Sequence, residues 1–249
     1  MALRPRIPDR YSSVVTCFFI HGQPGSGSDM AQIAELLPGS INKVQFDRPG
    51  WGASPEAVTD LWGNARFLIA EAEKVRGSRI LFGYSYGGSV ALAAAALRPD
   101  LFGSVVLYAP ASGVEALVSF DRMLAQGLFG RTLSNLVILV ARKLQEDSYG
   151  WGKRAGESFW FEQERLATDL KSLDDAVGGL EVPIVAIHVL GDKVVPLSAA
   201  ARLVQRAARA EMVLLEGEGH AISPAVAVQS VYEIVRRARY CKILEIDAN

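Results

Sequence analysis

Cysteine and histidine are scarce in this 249-residue chain, which holds two of the first and three of the second. Cys17 and Cys241 lie far apart, and nothing in their spacing predicts a bridge, so both read as reduced thiols. Without a close His/Cys cluster a structural zinc site is not expected, and no other metal or organic cofactor is implied. An excess of charge of one sign is missing as well. The 26 Lys and Arg nearly balance 27 Asp and Glu, for a net charge of −1. A general nucleic-acid binder needs a clear basic surplus, so that class is set aside. Long apolar runs are also absent: the candidate Leu133 to Ala141 falls well short of a membrane span. Near the start, the run Val14 to Ile20 is short, contains Thr16 and Cys17, and is followed by no small-residue cleavage site. It reads as a strand, not a signal peptide. A soluble, cytoplasmic protein with no membrane span is the expectation.

What is present is alternation. Apolar, β-branched runs at Val14–Ile20, Lys43–Phe46, Arg79–Phe82, Ser104–Tyr108, Ile184–Val189 and Met212–Leu215 are predicted strands. Helical patterns near Asp29–Leu37, Asp60–Val75, Tyr86–Leu97, Ser198–Ala208 and Ala225–Arg239 separate most of them. Strand–helix–strand alternation predicts βαβ crossovers, hence an α/β fold whose mostly parallel central sheet carries helices on both faces. The strands are continuously apolar, as suits a sheet buried on both sides.

From Ser112 to about Gly179 the alternation stops, and only helical segments appear: Val114–Gln126, Leu133–Leu144 and Ser158–Asp174. Residues 112–179 are therefore expected to form a helical cap insertion between two halves of one core, 1–111 and 180–249. Its aromatics, Phe120, Phe129, Tyr149, Trp151, Phe159, Trp160 and Phe161, suit either a pocket lining or a small core of the cap's own. The segment from Tyr240 onward is open between a strand and a partner-binding tail.

The chemistry begins at Gly83-Tyr84-Ser85-Tyr86-Gly87, between a predicted strand and an alanine-rich helix. Gly-x-Ser-x-Gly acquires meaning from that strand–turn–helix context. Glycines at 83 and 87 let the chain turn sharply, exposing the Ser85 hydroxyl at a helix N-terminus where the Tyr86 amide faces developing negative charge. A serine hydroxyl needs a base. His188 lies inside a predicted strand, and His21 opens a glycine turn that suits loop shaping. His220 sits in the loop Glu216-Gly-Glu-Gly-His after the last strand, where sites of parallel-sheet folds assemble, and is the predicted base. The imidazole needs a carboxylate. Asp192, after the Ile184 strand, is the candidate, with Glu115 its rival. The chain order Ser85, Asp192, His220 is nucleophile, acid, base. For the oxyanion, the backbone amide of Gln23 in His21-Gly-Gln-Pro-Gly can converge with that of Tyr86. This glycine-rich stretch lacks the endings and spacing of a phosphate cradle.

Taken together, His21-Gly-Gln-Pro-Gly, Asp47-Arg48-Pro49-Gly50-Trp51-Gly52-Ala53-Ser54, Gly83 to Gly88, Asp192-Lys-Val-Val-Pro and Gly219-His220 resemble the α/β-hydrolase superfamily over about residues 14 to 238. That family usually places an antiparallel hairpin before its first parallel strand. Only 20 residues precede His21, so the resemblance implies six to seven strands instead of eight. It also implies that Asp47-Arg48-Pro49-Gly50 is a structural loop beside the site. One departure stands out: the glycine common three residues before the acid is absent, and Gly191 adjoins Asp192 instead.

A serine nucleophile sets aside the family's aspartate-dependent dehalogenases and epoxide hydrolases. The expectation is a carboxylesterase-like hydrolase of small to medium acyl substrates, working through an acyl-enzyme on a small-molecule ester. The alternatives are a carbon–carbon bond hydrolase, in which Arg122, Arg131, Arg142 or Arg154 would hold a substrate carboxylate, and a receptor or scaffold that keeps the triad without turnover.

Overall fold

The computed structural model describes residues 14–144 and 150–247. Six strands form one sheet in the order β2-β1-β3-β4-β5-β6: β1 Val15–Ile20, β2 Ile41–Gln45, β3 Ser78–Tyr84, β4 Ser104–Tyr108, β5 Ile184–Gly191 and β6 Ala210–Glu218. Every pairing is parallel. The predicted strands are therefore all present, and the described sheet is wholly parallel. A hairpin before β1 would fall in residues 1–13, outside the described residues.

Side chains alternate across the sheet, and the two faces bury different partners. Phe18, Ile20, Leu81, Val105, Leu107, Ile184 and Ala186 pack on one side, with α2 (Leu61–Glu73), α3 (Tyr86–Leu97) and α7 (Leu197–Arg206). Val15, Cys17, Phe19, Ile80, Phe82, Val106, Val185 and Ile187 pack on the other, with α1 (Ala31–Leu36) and α8 (Pro224–Asp247). Helix α3 is buried at every position from Tyr86 to Ala95. It has no polar stripe because it lies between the sheet and α2, and its alanines let both approach closely. Helix α8 continues through Asp247, so residues 241–247 are helical instead of a strand.

Between β4 and β5 lie α4 (Ser119–Leu124), α5 (Gly127–Leu144) and α6 (Ala155–Val177). The helix expected over Val114–Gln126 is broken. A single 3-10 turn covers Val114–Ala116, and Val118 turns extended. The Val118 N–H donates to the Asp121 carboxylate at 2.9 Å, so Asp121 starts a new helix instead of continuing an old one. Trp151 and Phe159 join Leu124, Ile138 and Ala155 in a small separate core, together with Trp51 from the β2–α2 connection. Phe120 and Phe129 stay exposed. Tyr149 lies outside the described residues.

Ionic contacts tie both ends of this insertion to α7. Arg202 pairs with Glu115 at 2.8 Å and with Asp174 at 2.9 Å, and Arg206 reaches Asp174 at 3.1 Å. A third tie is a carboxylate. Asp169 of α6 accepts the Leu61 N–H at 3.1 Å, at the N-terminus of α2, where Asp60 already caps Gly63. Burial pushes the Asp169 carboxyl up to about 6 against the pull of that amide, and the neighbouring Asp60 adds to the rise. A folded-state pKa above the unfolded one stabilises fully at low pH, and that contribution is lost as pH rises from about 4 through 6. Asp169→Asn keeps an acceptor for Leu61 but cannot ionise. Urea unfolding is therefore expected to show the variant gaining on the parent by about 2 kcal/mol between pH 4 and pH 7, with no further change above pH 7.

Candidate active site

All five residues singled out from the sequence lie in segments that meet at the C-terminal ends of β1, β3, β5 and β6. Ser85 joins β3 to α3 with φ 54° and ψ −122°, a conformation that L residues adopt only under constraint. Its surroundings impose it. The Ser85 N–H donates to Tyr108 O at 3.0 Å, and its carbonyl accepts from Gly88 at 2.9 Å and from Ala111 at 3.2 Å. A Cβ on Gly87 would stand 2.1 Å from Ile20 O, and one on Gly83 would stand 2.6 Å from Gly87 O. Both flanking positions therefore admit glycine alone.

The β1–α1 loop runs directly over the serine, since a Cβ on Gly22 would lie 3.0 Å from Ser85 Cβ. This brings the Gly22–Gln23 segment to the turn that carries Ser85 and Tyr86.

Asp192 and His220 are hydrogen-bonded, Nδ1 to Oδ2, at 2.7 Å. The Asp192 side chain is fully buried, whereas His220 keeps 14% of its surface exposed. The other carboxylate oxygen accepts the amides of Val194 at 2.8 Å and Val195 at 3.1 Å. Burial opposes ionisation here, but the bond and charge of His220 and the two amides outweigh it, and the Asp192 pKa lies below the usual carboxylate range. Glu115, the rival acid, pairs with Arg202 instead.

Gly191 explains the departure in the acid loop. The β5–β6 register shifts between Val189 and Gly191, and a Cβ on Gly191 would meet Gly217 O at 2.6 Å. Glycine here lets the His220 loop close on the Asp192 turn, with Gly219 N–H reaching Gly191 O at 3.3 Å.

No hydrogen bond joins Ser85 to His220 among the described residues. What connects their segments is Tyr84, the residue before the serine. Its ring lies 5.1 Å from that of His220 and stacks on Tyr108 at 5.5 Å. Tyr84 OH donates to His220 O at 3.0 Å, and Tyr108 OH donates to Ala221 O at 3.2 Å. Two phenols thus hold the backbone of the histidine loop, a role the sequence did not signal.

The remaining histidines bond to backbone groups. His188 is buried in β5 and donates from Nε2 to Val195 O at 3.1 Å, and burial lowers its pKa. His21 is buried, with Nε2 accepting the Arg48 N–H at 3.0 Å and Nδ1 donating to Gly22 O at 2.9 Å. Burial and the Arg48 charge hold the His21 pKa well below the usual imidazole range.

Arg48 and Glu162 were missed as partners. Both are buried, and they pair at 2.5 Å, joining the β2–α2 loop to α6. Trp51 Nε1 also donates to Glu162, at 3.0 Å. Separation of 114 positions in sequence hides such a pair.

A parallel sheet with a strained serine turn after its third strand, and an acid and a histidine after its last two, defines the α/β-hydrolase class. The sequence profile of the alpha/beta hydrolase family matches residues 17–231, and the chain belongs to that family. A Synechocystis sp. protein carrying the name of a non-heme chloroperoxidase is 25% identical over 231 residues, covering 82% of this chain and 84% of that one. Among solved structures, the monoacylglycerol lipase of Paleococcus ferrophilus superposes with TM-score 0.72 at 21% identity, covering 91% of this chain and 94% of that one. The meta-cleavage product hydrolase of Pseudomonas fluorescens gives 0.71 at 20% identity, covering 91% of each. At such identities these structures share the fold. No helix among the described residues is long and apolar enough to cross a membrane. The described residues contain no cluster of three or more His, Cys, Asp or Glu placed to hold a metal.

The strain at Ser85 and the tight packing at Gly87 act in opposite directions on stability. Ser85→Gly is expected to raise stability by about 1 kcal/mol, because glycine tolerates the positive φ. Gly87→Ala is expected to lower it by about 3 kcal/mol, since its methyl meets backbone instead of a movable side chain. Urea titrations of the two variants beside the parent check both signs.

Proposed function

We propose that the protein is a serine hydrolase of carboxylic esters, with Ser85 as nucleophile, His220 as general base and Asp192 as the acid that orients it. The reading rests chiefly on the 2.7 Å Asp192–His220 bond beside a serine held at φ 54°. In this mechanism Ser85 Oγ attacks the ester carbonyl carbon while its proton passes to His220 Nε2. Nδ1–H stays on Asp192, whose negative charge stabilises the imidazolium. The carbonyl electrons move to oxygen, and the amides of Gln23 and Tyr86 bind that oxyanion. Collapse of the tetrahedral adduct expels the alkoxide, which takes the proton from His220. Water, deprotonated by the same imidazole, then attacks the acyl-enzyme and returns Ser85.

The insertion between β4 and β5 is read as a cap that shapes the acyl pocket. Ester cleavage is favoured over carbon–carbon cleavage by where the cap's cations are spent. Arg131 lies over Trp160 and pairs with Glu157, Arg142 donates to Gly152 O, and Arg154 donates to Glu56 O at 3.3 Å. Three of the four side chains that would hold a substrate carboxylate thus have a protein partner, although the buried Nε of Arg142 has none.

Initial rates on p-nitrophenyl esters from acetyl to dodecanoyl test the assignment, with Ser85→Ala beside the parent. The parent is expected to hydrolyse the shorter esters, and the variant to lose at least about 10³-fold in kcat. A fluorophosphonate probe should label the parent at Ser85 and leave the variant unlabelled. Equal hydrolysis by both proteins would overturn the assignment.

A further inference from the structure

We propose that Arg48 is a positioning residue for the oxyanion-binding peptide: by donating to the carbonyl of Gly22 it polarises the Gly22–Gln23 peptide bond and strengthens the Gln23 N–H as a donor. The proposal rests on the reading above in which that N–H binds the oxyanion.

Arg48 is 1% exposed and spends its donors in two directions. Toward the insertion, Nη1 and Nη2 reach Glu162 at 2.5 and 3.3 Å, and Nη1 reaches Asn64 Oδ1 at 3.4 Å. Toward the β1–α1 loop, Nε donates to His21 O at 3.0 Å and Nη2 to Gly22 O at 2.9 Å. Glu162 and Asn64 already pair the buried charge, so the two loop carbonyls are additional. They belong to the segment that carries the candidate oxyanion donor.

Gly22 O also accepts from His21 Nδ1 at 2.9 Å. Because His21 Nε2 accepts the Arg48 amide, the single imidazole proton sits on Nδ1 and serves that carbonyl. One peptide oxygen therefore receives two hydrogen bonds, one from a cation. Carbonyl and N–H of a peptide are conjugated, so drawing electron density to the oxygen leaves the nitrogen end more positive. The guanidinium also stands 4.8 Å above the ring of Tyr86, the residue supplying the other candidate amide. Glu162 comes from α6, so docking of the insertion and strength of the oxyanion donor become one coupled property.

The test uses the full chain and separates stability from chemistry. Arg48→Met/Glu162→Met replaces the ion pair with apolar side chains of similar length, a change that buried pairs often survive. Arg48→Lys keeps the charge but replaces the three-nitrogen fork that reaches His21 O, Gly22 O and Glu162 with a single ammonium nitrogen. Arg79→Met is the stability control, because Arg79 is buried and donates to Ala72 O at 2.8 Å and Gly77 O at 2.9 Å at the end of α2. Melting temperature, kcat, KM and inhibition by an alkyl trifluoromethyl ketone are measured for each. That ketone forms an oxyanion on serine and so reports the donor directly.

Loss of a whole oxyanion donor costs about 10²–10³ in kcat, so loss of its polarisation should cost about 10–30-fold. The double variant is expected to show that drop with KM within about 3-fold, and ketone affinity weakened by the same factor. Arg48→Lys should fall between it and the parent, and Arg79→Met should lose melting temperature while keeping kcat. A folded double variant with parental kcat, or a drop in kcat with unchanged ketone affinity, would overturn the proposal. If the double variant does not fold, Arg48→Lys decides on the same two readouts. A parent that the fluorophosphonate fails to label at Ser85 overturns the hydrolase reading itself. Labelled parent with unaffected Arg48 variants overturns the role of Arg48 alone.

Discussion

The buried Arg48–Glu162 pair is the constraint on which most of the candidate site's architecture depends. Around one guanidinium gather the β1–α1 loop through His21 O and Gly22 O, the β2–α2 loop that carries Arg48, the first residue of α3 through the Tyr86 ring, and α6 through Glu162. An unpaired charge in that position would be strongly unfavourable, so neither partner can be removed alone without a loss of about 3–5 kcal/mol. Burial raises the Glu162 pKa while Arg48 and Trp51 pull it down, as expected where a pair shares a dry environment. Asp47, beside it, extends the clamp by accepting Gly27 N–H at 2.8 Å and Ala53 N–H at 2.7 Å. The motif expected to be a structural loop beside the site is thus also the joint between the sheet and α6.

Two histidines at the same end of the sheet illustrate how environment divides chemistry. His21 is sealed beside a cation, has both ring nitrogens committed to backbone, and is held neutral. His220 is partly exposed, faces an ionised carboxylate, and has Nε2 uncommitted among the described hydrogen bonds. Only the second keeps a ring nitrogen open for proton exchange, as the proposed function requires. The strain at Ser85 belongs to the same design. Backbone bonds with Tyr108, Gly88 and Ala111 hold a residue in a conformation it would otherwise leave, which keeps Ser85 at the helix N-terminus.

The fold was legible because its signal is local. The four inner strands, buried on both faces, read as continuous apolar runs; the edge strands β2 and β6 are largely exposed, yet all six lie within a few residues of their expected ends. Elements with weaker periodicity were less so. The helix expected over Val114–Gln126 ignored the competition offered by Asp121, whose side chain captures the Val118 amide and restarts the chain. The aromatics of the insertion could not be sorted from sequence, because burial of Trp151 and Phe159 requires Trp51, about 100 positions away.

Of the candidate site, the sequence by itself determined which residues could do chemistry. Glycines at 83 and 87, a serine between strand and helix, and an aspartate and a histidine after successive strands are covalent facts with narrow physical uses. It could also rank the acids only partly, since Asp192 and Glu115 both follow strands. Tertiary structure alone decided that Glu115 serves Arg202, that Gly191 lets two loops close, and that Tyr84 and Tyr108 hold the histidine backbone. It alone joined Arg48 to Glu162. Pairings across a hundred positions leave no periodic trace in a chain, because they are selected by where the sheet and the insertion come to rest and not by any neighbour in sequence.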